Sequence, residues 1–277
     1  ITKPLREMNE IAIHYAKGDF SKSVQYESTD EIGQLAKSFT YMAEELNDLE
    51  NRRKQFVSNV SHDLRSPLTS IKGFIIALLD GAIPDNQRSH YYHLMKDETE
   101  RMIKLVNDTL DIARLEEGQH KLIQRHYNLT DQINLIIYKL EPQFKKKNLN
   151  IRFKQAHSSC YVYADKERIE QVIINLLQNA IQFSYNNSPI DIQLEPIGTQ
   201  VKITIQDYGV GIKKEQLHAI WKRFYKTDEA RTNKTGFGLG LAIVKSILDS
   251  HESKVTVNSE TGQGTRFSFT LPASKSQ

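Results

Sequence analysis

Val201-Lys-Ile-Thr-Ile-Gln-Asp207-Tyr-Gly209-Val-Gly211 alternates apolar and polar residues and then meets two glycines. A period of two marks a strand with one buried face, and it sets Val201, Ile203, Ile205 and Asp207 in a single row. A carboxylate closing a buried row needs a hydrogen-bond donor. Strands of similar pattern are expected at 149–154, 161–164, 190–195, 254–258 and 265–271. Helical periodicity occupies 130–147, 166–183, 213–221 and 239–250. Hairpin-linked strands with helices between them predict an α+β sandwich over 121–273, one mixed sheet with its helices on one face, followed by a short tail at 274–277.

Two segments near that strand carry chemistry. Helix 166–183 sets Asn175, Asn179 and Gln182 on one stripe, apart from the apolar Ile169, Val172, Ile173, Leu176 and Ala180. Asparagine lowers helix propensity, so two at matched spacing ask for a reason. Amide oxygens can ligate Mg²⁺ alongside phosphates, although a solvated polar face gives the same pattern. Gly236-Phe-Gly238-Leu239-Gly240 precedes an apolar-periodic helix, whose exposed first-turn N–H groups would attract phosphate. It follows no strand directly and contains no Gly-x-x-x-x-Gly-Lys-Ser/Thr, so neither common nucleotide fingerprint applies. Between the glycine segments lies a basic stretch, 222–235, with Lys222, Arg223, Lys226, Arg231 and Lys234, suited to a lid over a triphosphate.

Upstream the period changes to helix alone. Leu49, Arg53, Phe56, Val60, Leu64, Pro67, Ile71, Phe74 and Leu78 advance in steps of three and four, with a stutter at 56–60–64. A turn at 81–86 containing Pro84 precedes a second run through Tyr91, Met95, Glu98, Met102, Leu105, Thr109 and Ile112, which stops at Gly118. Residues 48–118 thus read as an antiparallel hairpin whose wide apolar faces fit a dimeric four-helix bundle. His62 lies two residues from both Val60 and Leu64 and so points off the apolar seam, among Ser58, Asn59, Arg65, Ser66 and Thr69. Asp63 could hold one ring N–H and leave the other nitrogen to attack, while Pro67 should kink the helix just beyond. An exposed helical histidine is by itself commonly a bystander. Residues 1–47 hold two shorter amphipathic helices, broken at Gly18 and Asp19 and resuming after the candidate caps Ser28 and Thr29.

Composition narrows the classes. The net charge of +3 is spread out and forms no basic stripe, which argues against a nucleic-acid binder. The single cysteine, Cys160, excludes an internal disulfide framework and a cysteine-rich zinc site. No apolar run approaches membrane-span length, and the chain starts at Ile1, as expected for part of a longer protein.

In this order the motifs resemble the bacterial-type sensor histidine kinase family over nearly the whole chain. Ser61 to Thr69 resembles its H box, Asn175-Leu-Leu-Gln-Asn-Ala180 its N box, and Asp207 to Gly211 its first glycine box. Trp221-Lys-Arg-Phe-Tyr225 is similar to its F box, Gly236 to Leu241 to its second glycine box, and Thr261 to Thr265 to the glycine turn after it. Residues 1–47, with Asp30-Glu-Ile-Gly33, resemble a HAMP signalling module. The resemblance implies a HAMP module, a dimerising phosphoacceptor hairpin and an ATP-binding domain like that of the gyrase and Hsp90 group. It implies that His62 takes the γ-phosphate of ATP with Asp63 as general base, and that an aspartate of a response regulator then receives it. Asn175 and Asn179 would hold Mg²⁺, and Asp207 would bind adenine. Gln182, Phe183, Gly209, Gly211, Phe224, Tyr225, Lys226, Gly236, Gly238, Leu239 and Gly240 would complete the nucleotide site. The parent protein would be a homodimer anchored in the cell membrane by a segment before Ile1, with this part on the cytoplasmic side.

Three positions depart from the family pattern. Gln182 stands where a lysine is frequent, Lys226 where an arginine is common, and Ser66 where a Thr or Asn usually orients water for removing phosphate from the regulator. Kinase activity is expected to survive these changes, while phosphatase activity is left open at Ser66. Two other readings share part of the pattern: a dimeric signalling scaffold with a degenerate pocket, and an ATPase of the gyrase/Hsp90 group.

Overall fold

A computed structural model describes residues 2–22, 24, 26, 28–116, 122–155, 159–226 and 236–274. The chain forms two compact units, Ile1–Ser66 and Pro67–Gln277.

In the first unit, α1 (Thr2–Ala16) precedes a polar connector and the start of α2 (Glu31–Leu79). The connector is pinned by Tyr15, which is buried and stacks on both Phe20 and Phe39. Met8, Ala36 and Ala43 are buried with it. The cap of α2 is Asp30 rather than Ser28 or Thr29. Its carboxylate accepts the Gly33 N–H at 2.8 Å, reaching the third residue of the helix, and that N–H holds its pKa below the ordinary carboxylate range. Ser28 Oγ instead accepts the Asp30 N–H. Helix α2 crosses the expected 47/48 boundary without a break and runs through Pro67, where the two units divide.

In the second unit, α2 ends at Leu79 with the Ala82 N–H on the Ala77 carbonyl, and a 3₁₀ turn (Asp85–Gln87) leads into α3 (Arg88–Glu116). Phe74 meets Tyr91 edge-on across this hairpin, and Leu105 and Ile112 are buried. The expected stop at Gly118 lies outside the described residues.

Among the described residues the remainder is one sheet with three helices, α4 (Leu129–Lys146), α5 (Lys166–Phe183) and α6 (Gly240–Ser250). Its strands are β1 (Gln124–Asn128), β2 (Asn150–Gln155), β3 (Tyr161–Asp165), β4 (Pro189–Ile197), β5 (Gln200–Asp207), β6 (Thr256–Glu260) and β7 (Gly264–Ser274). The order is β1-β3-β7-β5-β4-β2, with β6 also on β7; β2 and β4 are parallel and every other pair is antiparallel. This is the mixed sheet expected of the α+β sandwich. The row Val201, Ile203, Ile205 and Asp207 is buried beneath α5, whose Ile169, Val172, Ile173 and Leu176 are fully covered. Asp165 caps α5 by accepting the Arg168 N–H, a contact worth about 1 kcal/mol.

One strand was not expected, and two expectations differ from the structure. Strand β1 gives no usable periodicity, because Tyr127 is its one buried residue. The helix expected at 213–221 is a 3₁₀ turn, Lys214–Gln216, followed by further turns. Ser274, expected in the tail, belongs to β7, where it pairs with Tyr161 and its hydroxyl meets His126.

Candidate functional site

Two sets of residues carry chemistry, one in each unit. In the first, His62 sits mid-helix with its side chain 82% exposed, and its Nδ1 lies 3.2 Å from Asp63 Oδ1. An ionised carboxylate only accepts, so a neutral ring held this way carries its proton on Nδ1 and its lone pair on Nε2. Ser66 lies one turn further along the same helix.

In the second unit a cavity of about 760 Å³ opens between α5, the end of β5 and the start of α6, within the size range of small-molecule sites. Asn175, Asn179, Gln182, Phe183, Asp207, Gly211, Tyr225, Lys226, Gly236, Gly238, Leu239 and Gly240 line it. Gly209 and Phe224 brace its wall instead.

Each wall follows from local structure. Asp207 ends β5, and its Oδ1 accepts N–H groups from Gly209 at 3.0 Å and Thr265 at 3.2 Å. Burial pushes its carboxyl up to about 6 against the pull of those donors. Gly209 cannot carry a side chain, because a Cβ there would lie 1.9 Å from the Phe183 carbonyl oxygen. Gly211, at φ 69°, would bring one 2.0 Å from the Glu260 carbonyl. These glycines therefore serve chain-on-chain packing as well as an open cavity. Gly209→Ala is expected to lose several kcal/mol of stability and the cavity's shape together, seen as a lowered Tm with loss of nucleotide binding.

Opposite, the amide stripe of α5 faces the second glycine segment. A Cβ at Gly236 would lie 3.8 Å from Gln182 Oε1, and one at Gly240 3.6 Å from Asn175 Oδ1. Asn175 is buried and its Nδ2 has no partner among the described residues, a defect that costs about 1–3 kcal/mol and asks for an acceptor in the cavity. Turning the amide over would present its oxygen to a cation. Among the described residues no group of three or more His, Cys, Asp or Glu side chains could hold a metal, so an ion here would rest on amide and phosphate oxygens. Among the described residues no side chain caps α6, whose first residues, Gly240 and Leu241, line the cavity. Phe224, at φ 59°, donates its N–H to the Gly238 carbonyl at 2.9 Å and so ties the aromatic segment to the glycine segment. Arg231 and Lys234 of the expected lid lie outside the described residues.

Sequence reading missed four charged lining residues. Lys147, at the end of α4, donates to the carbonyls of Ile181, Gln182 and Ser184 and so holds the last turn of α5. Arg101, Lys104 and Asp108 come from the hairpin helix α3. Their spacing of three and four was visible, but nothing in the sequence says which element α3 meets.

A mixed sheet with one helical face, a buried acid ending β5 and an amide stripe facing a glycine-rich helix start define a nucleotide-binding domain carried on a helical hairpin. Three family matches run in succession along the chain: the HAMP domain over residues 1–48, the His Kinase A (phospho-acceptor) domain over 52–118, and the histidine kinase-, DNA gyrase B- and HSP90-like ATPase over 164–275. The chain is 34% identical to the sensor histidine kinase YclK of Bacillus subtilis, over 99% of this chain and 60% of that protein. It is 34% identical to the sensor protein kinase WalK of Staphylococcus aureus, over 97% of this chain and 64% of that protein. It therefore spans about three fifths of the length of these relatives. Among solved structures, the histidine kinase ThkA, seen in complex with the response regulator protein TrrA, matches with a TM-score of 0.63 at 27% identity, over 81% of this chain and 65% of that one. The chain belongs to the sensor histidine kinase family, and its ATPase-family domain is an ATP-binding one.

Proposed function

We propose that this chain is the ATP-dependent protein-histidine kinase portion of a two-component sensor, autophosphorylated on His62. The observation that carries the reading is an exposed histidine whose Nδ1–H is held by Asp63, in a chain that also contains an ATP-binding domain. His62 Nε2 attacks the γ-phosphorus of ATP, the N–P bond forms, and the bond to the ADP oxygen breaks. The ring becomes cationic as it bonds, and Asp63 takes the Nδ1 proton, which leaves a neutral phosphohistidine. Asp207 receives the adenine amine, and the N–H groups opening α6 hold phosphate oxygens. A magnesium ion held by Asn175 and Asn179 would supply charge neutralisation at the triphosphate.

The phosphate then passes to an aspartate of a response regulator. Ser66, one turn beyond His62, is the hydroxyl we assign to orienting water in the reverse, phosphatase direction. Exposed Leu68, Ile75, Ile76 and Leu79 on α2 and Ile103, Val106 and Leu110 on α3 support a homodimer in which a second hairpin covers them. Among the described residues no helix is long and apolar enough to cross a membrane. The HAMP match supports a parent protein at the cell membrane with this chain on its cytoplasmic side. A simple ATPase of the gyrase/Hsp90 group would have no use for the His62–Asp63 pair.

The test is incubation with γ-labelled ATP and Mg²⁺. Label on the protein that is lost in acid and stable in base is the expected result. ATP binding without label would overturn the kinase reading in favour of a signalling scaffold.

A further inference from the structure

The cavity draws positive charge from more than the ATPase-family domain. ATP brings a polyphosphate of about four negative charges, yet the α5 stripe that faces the glycine segment offers neutral amides. Lys147 lines the cavity but spends its three donors on backbone carbonyls. Lys226 also lines the cavity, with its Nζ 5.9 Å from the Phe237 centroid, and two further cations come from α3.

Lys104 Nζ donates to Gln178 Oε1 at 2.6 Å, and Gln178 lies on α5 beside Asn179, three residues beyond Asn175. The guanidinium of Arg101 stands 5.0 Å from the centroid of Phe237, which is buried between Gly236 and Gly238 at the approach to α6. Arg101 Nη1 lies 4.0 Å from Glu98 Oε2, the limit of an ion pair. Both cations line the cavity. They are held in register by Asp111, two turns along the same face, which accepts from Arg168 Nη1 at 3.2 Å and Gln171 Nε2 at 2.7 Å on α5. Asp108 lies between Lys104 and Asp111 on α3 and also lines the cavity, its carboxyl raised to about 6 chiefly by burial, with Lys104 opposing and Asp111 adding.

We propose that Arg101 and Lys104 are nucleotide-binding residues that bring positive charge to the terminal phosphates of ATP from the phosphotransfer hairpin, with Asp108 as their electrostatic counterweight. This rests on the ATP-binding reading of the cavity. A consequence is discrimination. Charge delivered at the phosphate end acts more on ATP than on ADP and not at all on adenosine, so the hairpin senses which nucleotide is bound.

The experiment is calorimetric titration of the full chain with a non-hydrolysable ATP analogue, ADP and adenosine, each with Mg²⁺. Arg101→Gln and Lys104→Gln should each weaken the ATP analogue by about tenfold, the cost of one charge-assisted contact, with a smaller loss for ADP and none for adenosine. Asp108→Asn should act oppositely and tighten the ATP analogue. Unchanged Tm values would confirm that the variants fold. Equal losses for all three ligands, or unchanged affinity for the ATP analogue, would overturn the proposal and leave α3 as packing alone. Failure of the unaltered chain to bind any of the three would instead overturn the ATP reading itself.

Discussion

His62→Gln should carry no acid-labile phosphate after incubation with labelled ATP, while binding ATP as tightly as the unaltered chain. Glutamine is a good helix former, and His62 is 82% exposed, so the replacement should change stability by no more than about 0.5 kcal/mol. It removes the nitrogen lone pair that forms the N–P bond and leaves the ATP-binding domain intact. Asp63→Asn separates the two functions of the pair. An amide cannot take the Nδ1 proton as the ring becomes cationic, so labelling should slow by about a hundredfold or more without losing its acid lability. Labelling time courses with titrations on the same preparations check both. Acid-labile label surviving on the glutamine variant would transfer the acceptor role to another histidine and overturn the assignment.

Asp207→Asn should weaken ATP and stabilise the empty domain at neutral pH. The asparagine keeps an oxygen for the Gly209 and Thr265 N–H groups but loses the charge that strengthens a bond to the adenine amine, so affinity should fall by about tenfold or more. The stability effect has the other sign. Burial raises the folded-state pKa from the ordinary 3.8 to about 6, so the folded chain holds a proton that the unfolded chain releases between those pH values. Stability contributed by this group is therefore full below the unfolded value and is lost as pH rises through about 6. The whole span is worth about 3 kcal/mol. Above it the ionised, buried carboxylate is a standing cost, which asparagine removes. Thermal unfolding at pH 5 and pH 7.5 should show the variant gaining on the parent at the higher pH. ATP binding by the parent should weaken below pH 6, as the carboxylate takes up its proton. A variant with unchanged affinity would remove Asp207 from the adenine site.

The buried row ending at Asp207, the amide stripe of α5 and the exposure of His62 were all legible in the sequence. Each depends on a repeat of two or about 3.6 residues, which the chain displays wherever one face is buried. The ordered boxes were legible as well, because backbone close to a ligand or to another strand must be glycine and phosphate-facing helices must start uncapped. What escaped was short or non-local. Strand β1 has one buried residue and no measurable period. The cap of α2 falls on Asp30 rather than its hydroxyl neighbours because of where the connector turns. The strict need for Gly209 comes from the Phe183 carbonyl on another element. Lys147, Arg101, Lys104 and Asp108 reach the cavity only because α4 and α3 pack beside α5. Periodicity reports which face of an element is covered, so the sequence by itself determined the elements, their buried sides and the chemistry of the boxes. Which element covers a face is a choice among distant partners, and tertiary packing alone decided that the hairpin would supply charge to the nucleotide cavity.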